Sequence, residues 1–127
     1  MERKASVLVM GLDPAVVDYS RTPVPGLTAE ILTAALDAEK ARLTALGYEV
    51  RMLYIDTGGT AETVTRDALA QGSYDCIVIG AGVRLAPHHF LLFEKIVNVV
   101  HANAPAATRI CFNTRPDDTA EAVQRWA

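Results

Sequence analysis

The sequence holds only two cysteines, one tryptophan and no surplus of basic charge, and none of its apolar runs is long enough to span a bilayer. Each shortage excludes something. Twelve Lys and Arg stand against fifteen Asp and Glu, for a formal charge of −3, and the basic residues are scattered rather than gathered into a stripe. Nucleic acid is therefore not an expected partner, because binding a polyanion draws on clustered cations. The apolar segment Ala5 to Leu12, behind Met1-Glu2-Arg3-Lys4, is too short for a signal h-region with its cleavage site. The expectation is a cytoplasmic protein without a membrane partner. Cys76 and Cys111 each sit inside an apolar run, so both are read as small buried hydrophobes rather than disulfide partners or nucleophiles.

The signatures of several reactions are missing too. There is no GxxxxGK[ST] phosphate loop and no GxSxG nucleophile elbow. Gly80-Ala81-Gly82 begins a GxGxxG, but Leu85 stands at the third glycine and the segment follows the third apolar run rather than the first. A dinucleotide fingerprint is thus absent, although Asp56 stands where a ribose-binding acid would. No cofactor is specified.

What is present is ordinary globular composition, with half of the residues hydrophobic and 21% charged over 127 residues, the size of one domain spanning 1–127. Four apolar runs, Ser6 to Leu12, Glu49 to Ile55, Asp75 to Ile79 and Arg109 to Asn113, have strand length and alternate with helical patterns. That alternation predicts βαβ units and a parallel sheet covered on both faces. The spacing predicts a first helix over 28–46, with Thr28 as N-cap, Gly47 as stop, and a broad apolar face including Ile31, Leu32, Leu36, Ala38, Leu43 and Leu46. A second helix runs from Ala61 to about Ala70, with Thr60 as cap and Val64 and Ala68 inward. A third opens at Pro87 and continues through His101. Its apolar residues, Phe90, Leu92, Phe93, Ile96, Val97, Val99 and Val100, cover more of its circumference than one sheet face needs, so either a neighbouring element or another subunit covers the surplus. Asp118 with Glu121 three positions later has capping-box spacing for a fourth helix. Because parallel crossovers are right-handed, the strand order 2-1-3-4 puts the first and fourth helices on one face and the other two on the opposite face. The fold class is a three-layer α/β sandwich, Rossmann-like or flavodoxin-like, whose direction reverses between strands 1 and 3.

Ligands of such sheets sit at the carboxyl ends of the strands, and the chemistry gathers there. The loop after strand 1, Asp13 to Leu27, is long for a βα connection and carries three prolines, which suits a lid or binding loop. After strand 2, Asp56-Thr57-Gly58-Gly59-Thr60 offers a carboxylate to a hydroxyl or amine and backbone N–H groups to an anion. After strand 3, Gly80 and Gly82 let a ligand or another backbone approach, Arg84 offers a positive fork, and His88 and His89 begin a helix. Adjacent helical histidines diverge by about 100°, so they do not chelate one metal together, and no metal site is expected. After strand 4, Asn113 and Arg115 add an amide and a second guanidinium.

The layout resembles flavodoxin-like, receiver-like and cobalamin-binding domains in outline. Strand 1 nevertheless ends in Gly11-Leu12-Asp13-Pro14, strand 3 ends in Gly80 rather than a phosphoacceptor aspartate, and Asp-x-His-x-x-Gly is missing. Through Gly80-Ala81-Gly82-Val83-Arg84, Pro87-His88-His89-Phe90 and Cys111-Phe112-Asn113-Thr114, the whole chain resembles a group of small uncharacterised bacterial α/β proteins. The resemblance implies the fold and no activity.

Three functions follow from these residues. The first is binding of a small anionic or polar metabolite by Asp56, Gly80, Gly82, Arg84, Asn113 and Arg115. The second is a small hydrolase, lyase or transferase with His88 or His89 as acid or base, Asp13 or Asp56 as its charged partner and Arg84 for substrate charge. The third is a partner-binding subunit, for instance a homodimer formed through helix 87–101 or the strand 4 edge.

Overall fold

A computed structural model describes residues 4–127. The Val- and Ile-rich runs form β1 (Ser6–Leu12), β2 (Glu49–Ile55), β3 (Cys76–Ile79) and β4 (Arg109–Phe112). All pairings are parallel and the order is β2-β1-β3-β4, so the chain reverses direction between β1 and β3. Asp75 and Asn113 lie just outside the strands they were expected to join.

Side chains alternate across this sheet and build two cores. Leu8, Met10, Leu53, Ile55, Ile77 and Ile79 pack on one face against α2 (Ala61–Gln71) and α4 (Phe90–Asn103). Val7, Val9, Cys76, Val78 and Cys111 pack on the other against α1 (Ala29–Ala45) and α5 (Thr119–Trp126). The three layers and the pairing of helices on each face agree with the expected winding. A further helical turn, α3 (Ala81–Arg84), follows β3 directly, and Pro87–His89 makes a 3₁₀ turn that feeds α4. No helix among the described residues is long and apolar enough to cross a membrane.

Local chemistry explains the ends of α1. Thr28 accepts from the Ile31 N–H at its start. At its end Gly47, at φ 97°, lets the Tyr48 and Gly47 N–H groups bond back to Leu43 O and Thr44 O. The buried stripe of this helix is narrower than the sequence pattern: Leu32, Leu36 and Leu43 are inside, whereas Ile31, Ala38 and Leu46 are exposed. In α4, Leu92, Ile96, Val99 and Val100 are buried, and Phe93 and Val97 lean on the same core, so α2 and the sheet absorb most of the apolar surplus. Phe90 and its neighbour Leu91 remain 65% and 62% exposed.

The expected capping box at α5 is not formed. The Asp118 carboxylate turns back to accept from the N–H groups of Thr114 and Arg115 and from the Thr114 hydroxyl, and Glu121 pairs with Arg42. The helix start is capped from across the fold instead, by Glu39 of α1, which is only 5% exposed and whose Oε1 accepts from the Ala120 N–H at 2.9 Å. A buried acceptor aimed at a helix start satisfies an orphan donor and matches the positive end of the dipole. Replacing it by Ala leaves that donor unpaired. Glu39→Ala should therefore cost about 1–3 kcal/mol by urea denaturation, and Glu39→Gln, which keeps an acceptor oxygen, clearly less.

Candidate functional site

The reversal between β1 and β3 opens a crevice at their carboxyl ends, as the winding requires. Two backbones meet there very closely. Gly80 N–H donates to Met10 O at 2.8 Å, and a Cβ on Gly80 would lie 2.9 Å from that same oxygen. Gly80 is thus demanded by the approach of another backbone. Gly82 is different, since a Cβ there would meet only Leu12 Cδ1, at an ordinary 3.9 Å.

Below the crevice lies a cavity of about 80 Å³. One water needs roughly 10–15 Å³ on the same measure, so the space takes several waters or one compact ligand. The end of β1, Gly80 to Gly82, and Leu32 and Leu36 of α1 line it. The long loop after β1 contributes Val17, Pro23, Val24 and Leu27, and Ala86, His88, His89, Asn113 and Thr119 complete it. The lining is apolar for the most part, with a few polar groups, the usual make-up of a small-molecule site.

Asn113 holds this edge together. Its Oδ1 accepts from the Ala81 N–H at 2.7 Å, its Nδ2 donates to Thr119 Oγ1 at 2.9 Å, and its backbone oxygen accepts from Arg84 at 2.8 Å. One buried residue thereby ties the start of α3, the end of β4 and the start of α5.

The two histidines occupy the tight turn opened by Pro87, with ring centroids 4.1 Å apart. His88 is exposed and His89 is buried, at 9% exposure, yet both line the cavity. Neither imidazole has a hydrogen-bond partner among the described residues. Burial holds the His89 imidazole below its ordinary pKa, helped by the neighbouring His88 and Arg21 and opposed by Asp18. Asp18 and Arg21 are bound to each other: Arg21 Nε donates to Asp18 Oδ2 at 2.8 Å. The Ser20 hydroxyl and Arg21 hold the Asp18 carboxyl down at about 2.

The remaining expected site residues lie elsewhere. Asp13 accepts from the Ala15 N–H in its own turn and lines a separate shallow groove with Asp37 and Tyr54. The phenol of Tyr54 is raised by burial and by those two carboxylates. Asp56 organises its own loop by accepting from Gly58 and Thr60, which lowers its pKa. Arg84 lies over the Phe112 ring, 5.5 Å from its centroid, with Nε buried and unpartnered, and Arg115 pairs with Asp117. Neither guanidinium lines the cavity. Gly80, Gly82, His88, His89 and Asn113 are thus brought together; Asp13, Asp56, Arg84 and Arg115 are not.

The cysteines face each other inside the core, Sγ to Sγ 3.1 Å, as free thiols. Contact with Cys76 and burial push the Cys111 thiol up, away from the reactive thiolate. No group of three side chains able to hold a metal ion occurs among the described residues. With fold and geometry in place, the chain is a doubly wound α/β protein with a cavity at its switch point. No protein-family model matches the chain, and no curated protein matches it.

Sequence reasoning passed over Leu32, Leu36 and the apolar residues of the 13–27 loop. The loop itself was read as a lid or binding loop, and the signal for its inward residues was Val17, Val24 and Leu27, an unusual apolar content for a surface connection.

Two measurements check this geometry. Asn113→Ala should lose about 1–3 kcal/mol in denaturant unfolding, because Ala81 N–H loses its buried acceptor, whereas Asn113→Asp keeps that acceptor and should lose less. For His89, the unfolded chain takes up the proton first as pH falls. The His89 contribution to stability is therefore complete above the ordinary value of 6.5 and declines below it until the lower folded-state pKa is passed. Between about pH 7.5 and 5 the wild type should lose stability more steeply than His89→Gln, whose side chain does not titrate.

Proposed function

We propose that this chain binds a small polar metabolite in the cavity between the 13–27 loop and the 80–89 segment. One observation carries the reading: a largely apolar cavity at the switch point of the sheet is lined by two imidazoles that have no hydrogen-bond partner among the described residues. An apolar wall supplies affinity and a few fixed polar groups supply orientation. The 13–27 loop, stiffened by its prolines and closed by its own Asp18 and Tyr19 hydrogen bonds, acts as the cover. Asn113 serves as a positioning residue for the edge. Arg84 and Arg115 support the fold rather than the ligand. With two free thiols in its core, the chain suits a reducing compartment such as the cytoplasm.

A catalytic reading keeps one favourable observation, the neutral, buried and unbonded imidazole of His89, which has the form of a general base. No carboxylate orients it as an Asp–His pair would, so binding ranks above catalysis. Self-association keeps another, the exposed Phe90 and Leu91 at the start of α4. A strict monomer in sedimentation would remove it.

The binding reading is tested by a thermal-shift screen of small amides, alcohols, aldehydes and carboxylic acids at millimolar concentration, on wild type and Gly82→Leu. The added side chain enters the cavity from a position with room for a Cβ, and Leu suits a helical turn better than Gly. The expected result is a stabilising hit on wild type that disappears in Gly82→Leu, while the unliganded midpoints stay within a few degrees. Absence of any hit, or a hit indifferent to Gly82→Leu, contradicts the reading.

A further inference from the structure

We infer that the cavity selects an uncharged ligand, a compact molecule with an apolar body and one hydrogen-bonding end, and discriminates against carboxylates and ammonium ions of the same shape. This deepens the binding reading above and rests on it.

Few charges reach the cavity. Its titratable lining residues are Asp18, Arg21, His88 and His89. The first two cancel: Arg21 Nε sits 2.8 Å from Asp18 Oδ2, and Ser20 adds a hydroxyl to the same carboxylate. Both side chains remain well exposed, so their charges stay hydrated beside the cavity rather than inside it. The two other cations of this edge are directed elsewhere, Arg84 onto Phe112 and the Asn113 carbonyl, Arg115 onto Asp117. What remains is apolar side chain, imidazole, and the uncharged groups of Thr22, Asn113 and Thr119, each already hydrogen-bonded within the fold. Burial keeps His89 neutral near pH 7, with one ring nitrogen to donate and one to accept.

An ion entering such a space loses its hydration and meets no opposite charge, which is expensive. A neutral amide, alcohol or aldehyde gives up far less, and its polar end meets an imidazole that has no hydrogen-bond partner among the described residues. The surrounding Val9, Leu12, Val17, Val24, Leu27 and Leu36 accept the apolar remainder. A volume of about 80 Å³, roughly half that of a cavity known to take benzene, limits that remainder to a small branched aliphatic body.

The inference is tested with matched probes, isovaleramide against isovalerate and isoamylamine, and isobutyramide against isobutyrate, by ligand-observed NMR on the full chain near pH 8. There His89 is neutral. The expected result is binding of the amides, at least tenfold weaker binding of the carboxylates and amine, and loss of all of it in Gly82→Leu. A second variant weakens the selectivity by design. Asp18→Asn removes the counter-charge of Arg21 and also loosens the loop that Asp18 ties, so the readout is a ratio: the preference for isovaleramide over isovalerate should fall several-fold. If the carboxylates bind wild type as well as the amides do, and still respond to Gly82→Leu, the charge selectivity is wrong while the site survives. If no probe binds, or none responds to Gly82→Leu, the binding reading itself fails and takes this inference with it.

Discussion

The carboxamide of Asn113 is the constraint on which the functional edge depends. A parallel sheet delivers its strands to one edge, but it does not decide how the following loops sit against one another. In this chain one buried amide decides it, accepting from Ala81 and donating to Thr119. The start of α3 and the start of α5 are thereby locked to the end of β4, and the Arg84 guanidinium closes the arrangement through the Asn113 carbonyl. The oxygen and the nitrogen of the carboxamide are both engaged, and a buried amide held at both ends specifies one geometry for the loops it joins. The cavity is the space left beside that geometry.

The same edge shows how a residue suited to a ligand serves the scaffold. Glycine after a strand commonly lets a phosphate approach, yet Gly80 is claimed by Met10 O of the adjacent strand. Arginine after a strand commonly reads an anion, yet Arg84 covers Phe112. With those groups engaged, the cavity takes its character from the 13–27 loop and from the turn that Pro87 opens. The proline has no N–H and a fixed φ, so the chain enters a 3₁₀ turn before α4, and the two imidazoles lie side by side with centroids 4.1 Å apart, one exposed and one buried. A neutral imidazole in an apolar space follows from backbone chemistry at a single residue.

Much of the fold was legible because its signals are local or topological. The Val- and Ile-rich runs read as strands, the Thr28 cap and Gly47 stop bound α1, and the right-handed crossover rule leads to the order β2-β1-β3-β4 and the pairing of helices on each face. The partners of side chains across the fold were not legible. Glu39 lies on the inward side of α1 yet reads as a surface residue until its acceptor role for Ala120, 81 residues away, is known. Asp118 has capping-box spacing, but Thr114 and Arg115 compete for its carboxylate and win. At the site, sequence placed the crevice, Gly82, the histidines and Asn113 at the correct edge. The guanidiniums of Arg84 and Arg115 lie at that edge but turn away from the cavity, a choice that sequence does not reveal because an arginine has the reach to turn to either face and only the finished packing selects one.

The central claim is that the space between the 13–27 loop and the 80–89 segment is the ligand site. The most direct measurement is a crystallographic soak of this chain with a library of small neutral fragments. The account predicts fragment density clustered in the cavity, with a polar atom in hydrogen-bond reach of a His89 ring nitrogen and the Asn113 contacts unchanged. Fragments found only elsewhere, against Arg84 and Phe112 or in the Asp13 and Tyr54 groove, with the cavity empty in every data set, would contradict it.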